Sequence, residues 1–466
     1  MSRGWTLGVA SVAGYLLVLD LIGVNVALPD MRRDLGASLA QVQWAVDAYA
    51  VALAALLLTA GALADRVGRR RVFLGGLAVF TVASPACALA SSALALDLFR
   101  VVQGAGAALL YGATAPLVAA AYPAGRERNR ALGVFAAASG AAIATGPLVC
   151  GALTGAAGWR AIFFLNVPLG LAALVVGART LRESRDPDPR PLDLAATAYL
   201  GAGLAALMWA LIEGPQAGWG SPLVLGPLVV AGVAFAGLRR ARSPMLDLSL
   251  LRDRLYAANV AAAFAGHAAG AGSLAYLGLF VQGPMGASPA EAGAWFLAFS
   301  LPALGVPLLL ARAAHRFSPV GLVAAGPLLL AVSCALMAAA HGTHEWAALV
   351  PGLVVGGLAS GVGNLVAGQI ALAAAPAERA GVAAGITNTA KQLGIAVGVA
   401  VLGIPYGLRG VGAMLVVAAA IAVAGALPSL AAVSRRDGRP GPPGPRPAGR
   451  AVPGSGRCRP RPDPDG

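Results

Sequence analysis

The sequence predicts an all-α polytopic membrane protein, and three observations carry that expectation. Of its 466 residues, 58% are hydrophobic and only 12% charged, where a soluble domain carries about a quarter charged. Mean hydropathy is +0.75, and apolar runs of roughly 20 residues, the length that crosses a bilayer as a helix, recur along the chain. The arginines gather in the gaps between these runs. A membrane β-barrel is excluded, because its strands would be short segments of alternating polarity.

Each predicted helix is an apolar run set off by a hydrophilic gap. The first lies near 6–28, behind Arg3 and ahead of Arg32 and Arg33. The second, near 44–64, leads into GALADRVGRRR at 61–71, and the third follows near 72–91. The fourth, near 96–120, precedes Arg126, Arg128 and Arg130; the fifth, near 131–154, precedes Arg160. The sixth, near 161–178, ends before Arg179, Arg182, Arg185 and Arg190. Two more lie near 192–212 and 221–238, followed by Arg239, Arg240, Arg242, Arg252 and Arg254. The last six lie near 256–281, 290–311, 318–340, 345–373, 381–404 and 410–433. Fourteen transmembrane helices are therefore expected. They divide into a six-helix bundle over 1–190, an inserted helix pair over 191–240 and a second six-helix bundle over 241–433. The Arg- and Pro-rich tail over 434–466 cannot build a core and is expected to be disordered. A six-two-six plan suggests a duplicated transporter with its site between the halves. Internal symmetry is faint: the counterpart of GALADRVGRRR is the degraded ARAAHRF at 311–317.

The net charge of +14 would suggest a polyanion partner in a soluble chain, but here position explains it. With the N-terminus inside, 28 of the 34 basic residues fall in inside segments and four (Arg32, Arg33, Arg160, Arg409) outside. That asymmetry follows the positive-inside rule and places both termini in the cytoplasm. No basic stripe interleaves with aromatics, so no nucleic-acid partner is expected. Cys87, Cys150, Cys334 and Cys458 show no metal or disulfide spacing, and His341, His344 and Glu345 make too weak a pattern for a metal site. The opening MSRGWTLGVA has no small-residue cleavage site, so the first helix is expected to act as the anchor. No P-loop, HExxH or GxSxG occurs, so neither ATP binding nor enzymatic chemistry is expected.

Ionisable residues inside helices cost at least ~2.5–3.5 kcal/mol and so mark candidate sites. Asp20 lies ~12 Å below the outer end of the first helix. Asp47 in the second and Arg100 in the fourth lie at similar depth, and the three can form a cluster whose proton affinity depends on Arg100. Asp47 is also shallow enough to be an interfacial residue facing water, and Arg100 could be a static clamp. Gln103 sits at i+3 from Arg100 on the same face. Lys391 lies near the midplane of its helix on a stripe with Thr387, Gly394 and Gly398, with Asn388 alongside. Such a stripe faces the bundle interior or a substrate path, to which Asn25 and Gln103 are also assigned. Asp65 beside Arg66 and Arg69 can make charge-assisted bonds that lock one arrangement of the two bundles. In the fifth helix, Gly140, Gly146, Gly151 and Gly155 permit close helix contact, and Pro147 bends the backbone.

Several of these stretches together carry a resemblance. LVLDLIGVNVALP, GALADRVGRRR, RVVQGAGAA and GPLVCG resemble the major facilitator superfamily. WRAIFFLNVPLG at 159–170, the inserted pair and TNTAKQLGIAVGVAVLG resemble its fourteen-helix drug:proton antiporter branch, the EmrB/QacA type. The resemblance implies export driven by inward proton flow, with Asp20 and Arg100 at positions linked to coupling. It implies a gating loop of Gly61, Asp65, Arg66, Gly68 and Arg69, and an antiporter helix motif of Gly146, Pro147 and Gly151. Cys150 stands where the motif carries glycine, Ala142 where another glycine is common, and Lys391 where such sequences often carry Arg. The loop at 405–409 is short for that branch.

The expected function is export of small hydrophobic or amphipathic compounds across the cytoplasmic membrane, energised by the proton gradient, without a cofactor, by a monomer. A proton-coupled or uniport carrier for one metabolite is the alternative. Substrate charge stays open here: Asp20 and Asp47 favour a cation, Lys391 an anion.

Overall fold

The computed structural model describes residues 2–123, 125–187, 189, 192–240, 248–313, 319–343, 345–373 and 380–434. The tail expected over 434–466 lies outside them beyond Ser434, as does most of ARAAHRF. No strand occurs among the described residues, and helices satisfy their own backbone N–H and C=O groups, as lipid requires.

The first half comprises α1 (Ser2–Asp34), α2 (Leu39–Val67), α3 (Arg69–Ala88), α4 (Ala93–Ala121), α5 (Arg126–Ala157) and α6 (Arg160–Thr180). Next come α7 (Leu194–Ala217) and α8 (Pro222–Arg240). The second half holds α9 (Arg254–Gln282), α10 (Pro289–Trp295), α11 (Leu297–Ala313), α12 (Pro319–Ala340), α13 (Trp346–Ala373) and α14 (Ala380–Ser434). Several starts carry local signals. Ser38 and Ser288 form capping boxes with Gln41 and Glu291, and Ser92, Asp193 and Asp253 cap α4, α7 and α9.

Among the described residues, twelve helical stretches are long and apolar enough to cross a membrane, where the sequence predicts fourteen. Two differences account for this. The thirteenth and fourteenth expected spans run together as α14, whose only break in helical backbone is Gly410 at φ 79°. The expected loop at 405–409 is thus helix. The tenth expected span is split at Phe296 into α10 and α11, and α11 carries Pro302 and Pro307. Helix ends also differ from expectation. Because α1 runs to Asp34, Asp20 sits about 21 Å from its end, deeper than the run of apolar residues suggests.

Two ends can be told apart. Arg3, Arg69, Arg126 and Arg254 open α1, α3, α5 and α9 at what we call the arginine end. There the halves have separate apolar cores. One joins Leu16, Leu57, Phe73, Leu110 and Leu117; the other joins Tyr256, Val323, Val366, Ile370 and Val382. At the opposite end a single core runs through both halves, from Leu28, Met31 and Trp159 to Phe280, Phe296 and Leu353. The helix α7 packs against both α2 and α14 through Leu200, Leu204, Met208 and Ile212. Its partner α8 packs on α7 and exposes Leu223, Val229, Val230 and Val233, the surface expected toward lipid.

Candidate functional site

Between the two separate cores lies a cavity of about 900 Å³. It reaches from the arginine end, where Phe135, Asn259, Val323 and Gln369 line it, to Val26, Pro147, Phe296 and Leu330. Beyond that point the halves are sealed. Gln282 Nε2 of α9 donates to the Val26 carbonyl of α1 at 2.8 Å. Gln43 Nε2 donates to Tyr276 Oη, whose hydroxyl donates to the Val399 carbonyl at 2.5 Å. Glycine makes the α5–α10 closure possible. A Cβ on Gly293 would collide with the Pro147 carbonyl, and one on Gly151 with that of Pro289. A Cβ on Gly146 would reach Ile22 of α1 only in ordinary contact, and Cys150, in place of the motif glycine, fits because Gly23 leaves room for its thiol.

On the far side of α1 from the cavity lies a buried polar junction. Val18, Leu21, Ile22 and Asn25 face the cavity, while Asp20, Val24 and Ala27 are fully buried. Arg100 Nη1 donates to Asp20 Oδ2 at 2.5 Å and to Gln103 Oε1 at 2.7 Å, and its Nε donates to the Ala45 carbonyl at 2.8 Å. The guanidinium lies over the Tyr49 ring, 4.2 Å from its centroid. Asp20 Oδ1 accepts from Asn166 Nδ2 at 2.8 Å and from Gln103 Nε2 at 3.0 Å. Gln103 also donates to Ser84 Oγ at 2.9 Å. Asp20, Ser84, Arg100, Gln103 and Asn166 are each 0% exposed, so α1, α2, α3, α4 and α6 meet in one dry network. Gly104 permits that meeting, because a Cβ there would lie 2.5 Å from the Tyr49 carbonyl.

Asp20 and Arg100 come together. Asp47 does not join them: it is fully buried rather than interfacial, and neither carboxyl oxygen has a hydrogen-bond partner among the described residues. Burial follows from α2 starting at Leu39, which moves Asp47 two turns inward. Gln103, assigned to the substrate path, instead belongs to the buried junction, because the i+3 face of Arg100 turns away from the cavity. Asn25, Asn388 and Lys391 line the cavity, and Lys391 Nζ donates to Asn364 Oδ1 at 3.0 Å. The stripe containing Lys391 divides: Gly394 and Gly398 pack on the α9 backbone, and Thr387 sits near Tyr256 Oη at 3.4 Å.

The expected gating loop is mostly helix. Gly61, Asp65 and Arg66 end α2, Arg69 begins α3, and Gly68 alone lies between them at φ 127°. Asp65 pairs with Arg69 at 2.8 Å, while Arg66 is exposed. Among the described residues, the contacts of this pair stay in the first half. The Asp65 carbonyl accepts from Asp186 N at 3.0 Å, and Arg69 N donates to the Ser184 carbonyl at 2.8 Å, both in the segment after α6. Glu183 accepts from Arg70 N and fills the space a side chain at Gly68 would need. Gly61 packs against Gly112 of α4.

Ser84, Asn166, Asn364 and His267 were not singled out by sequence reasoning. Asn166 left a signal, as the lone polar residue of IFFLNVPLG, a stretch quoted only for its pattern.

Two helical halves, a cavity between them closed at one end, and a buried ion pair beside it are the arrangement of a membrane transporter. The family model of the Major Facilitator Superfamily matches residues 10–282 and 260–462, and the chain belongs to that superfamily. It is 36% identical over 411 residues to the tetracenomycin C resistance and export protein of Streptomyces glaucescens, covering 86% of this chain and 76% of that one. It is likewise 36% identical over 416 residues to the methylenomycin A resistance protein of Bacillus subtilis, covering 86% and 88%. A crystal structure of the peptide transporter POT in complex with sulfate superposes with a TM-score of 0.69 at 19% identity, covering 92% and 94% of the two chains, a likeness of fold.

Proposed function

We propose that the protein exports small hydrophobic or amphipathic compounds from the cytoplasm in exchange for protons. The observation that carries this reading is the position of α1, one face of which lines the cavity while the other holds Asp20 against Arg100. Protonating Asp20 removes one charge of a buried pair, which changes the forces on the helix that also touches the substrate. Arg100 stays anchored by Gln103, the Ala45 carbonyl and Tyr49, so the response falls on α1. A proton entering from the side opposite the arginine end thereby favours rearrangement of the sealed contacts, and its release restores them. One charge moving through 100 mV supplies ~2.3 kcal/mol, on the order of fifty-fold in concentration. Relatives named for resistance and export support the outward direction.

In this reading the chain crosses the cytoplasmic membrane fourteen times, with α10 and α11 as one crossing and α14 as two. The kink at Gly410 divides α14 into stretches of about 30 and about 24 residues, each long enough to cross the hydrocarbon. The arginine end and both termini lie in the cytoplasm, so the cavity faces inward. The halves over 1–190 and 241–433 rock about the cavity, with the pair over 191–240 beside the seam. Neither cofactor nor ATP is required, and one chain suffices.

Energised inside-out vesicles test the reading. A fluorescent drug should accumulate in vesicles holding the wild-type protein, and collapse of the proton gradient or Asp20→Asn should abolish accumulation. Accumulation that survives both would contradict it.

A further inference from the structure

The two embedded carboxylates and the embedded lysine pull in opposite directions on substrate charge, and their placement separates them. Asp20 and Asp47 are 0% exposed and neither lines the cavity. Lys391 does line it. No Asp or Glu occurs among the described lining residues, and no carboxylate among the described residues forms an ion pair with Lys391. Its ammonium is held by one neutral acceptor, Asn364 Oδ1 at 3.0 Å, which leaves donor capacity facing the cavity. His267 also lines the cavity, with its Nδ1 at 2.9 Å from the Ala263 carbonyl of its own helix. Close by on α14, Asn388 and Gln392 line the cavity too, and each carries amide N–H donors. The rest of the wall is largely apolar, with Leu21, Ile22, Phe135, Phe299 and Leu330 from both halves.

From this arrangement we infer that the cavity takes amphipathic organic anions, weak acids with an apolar body, and that Lys391 pairs with their charge. An uncompensated ammonium in a low-dielectric wall attracts an anion strongly and repels a cation, and no lining carboxylate reverses that sign. The apolar wall takes the body of the ligand, and the amide N–H groups of Asn388 and Gln392 can donate beside the charged head. The volume of about 900 Å³ lies at the upper end of the range that holds drug-sized molecules. This inference rests on the export reading for its direction of transport, though not for binding.

Equilibrium binding to the purified protein in lipid nanodiscs tests it, read by fluorescence anisotropy against empty discs. The probes are two xanthene dyes of matched ring system, anionic fluorescein and cationic rhodamine 6G. Fluorescein should bind the wild type at least about tenfold more tightly than rhodamine 6G. Lys391→Gln should remove about tenfold of the fluorescein affinity and spare that for rhodamine 6G, while Lys391→Arg keeps the preference. The wild-type comparison needs no variant to fold. Equal or tighter binding of rhodamine 6G, no binding of fluorescein, or indifference of fluorescein binding to Lys391→Gln would each overturn the inference. Fluorescein binding with the expected preference but no proton-driven accumulation in vesicles would support it and overturn the export reading instead.

Discussion

A single guanidinium carries most of the buried chemistry of the first half. Arg100 reaches a carboxylate, an amide and a backbone carbonyl at once while stacking on Tyr49. An ammonium has neither that planar fork nor the stacking face, so Arg100→Lys should abolish drug accumulation in vesicles although charge is kept. Arg100→Ala leaves Asp20 as an uncompensated buried charge and should lower stability by about 3–5 kcal/mol. Asp20→Asn retains acceptors for Gln103 and Asn166 and should cost less. Thermal unfolding in detergent checks the order, and equal losses would contradict it. The sequence made Asp20, Arg100 and Lys391 legible because a charge inside an apolar run demands an explanation. Ser84 and Asn166 were not legible, since a neutral polar side chain in a membrane helix commonly bonds its own backbone. Thr81 and Thr114 do so here. Only the fold reveals that Asn166 reaches Asp20 across 146 positions of chain.

Helices that must approach closely do so on glycine, and each approach gives a test. Gly104 lets α4 lie against Tyr49, so Gly104→Val should displace Arg100 and cost about 1–3 kcal/mol of stability through overpacking. Intrinsic protein unfolding followed by light scattering would register this. Gly293 admits the Pro147 carbonyl of α5. In Gly293→Leu the α5–α10 closure should be wedged apart, and a cysteine placed at Asn25 should react faster with an impermeant maleimide from the face opposite the arginine end. Unchanged reactivity would mean that α5 and α10 do not form the closure. At this scale the apolar runs located helices well, but their ends much less so. Hydropathy stops where polar residues start, whereas backbone hydrogen bonding continues into the polar turns, as α1 shows by carrying Arg32 and Arg33 in its last turn. The same effect hid the helical character of GALADRVGRRR, where a single glycine at positive φ separates α2 from α3.

Across the whole molecule, one continuous core joins the halves at one end and two separate cores flank the cavity at the other. The side-chain period alone could not show this, because a helix buried in protein and one facing lipid are equally apolar. Gln43 and Tyr276 bridge the halves within the sealed region. Bridging Gln43→Cys to Tyr276→Cys with a short bis-maleimide should therefore arrest transport, and the unlinked double variant should retain it. Transport by the linked protein would show that the seal need not open. The central claim is that Asp20 takes up and gives off the proton that substrate export requires. Its most direct test is proton release from the purified, detergent-solubilised protein on adding a transported drug, followed with a pH dye in weak buffer. The wild type should release protons on binding and Asp20→Asn none, with drug affinity preserved. Undiminished release from Asp20→Asn would contradict the account and move the proton elsewhere in the molecule.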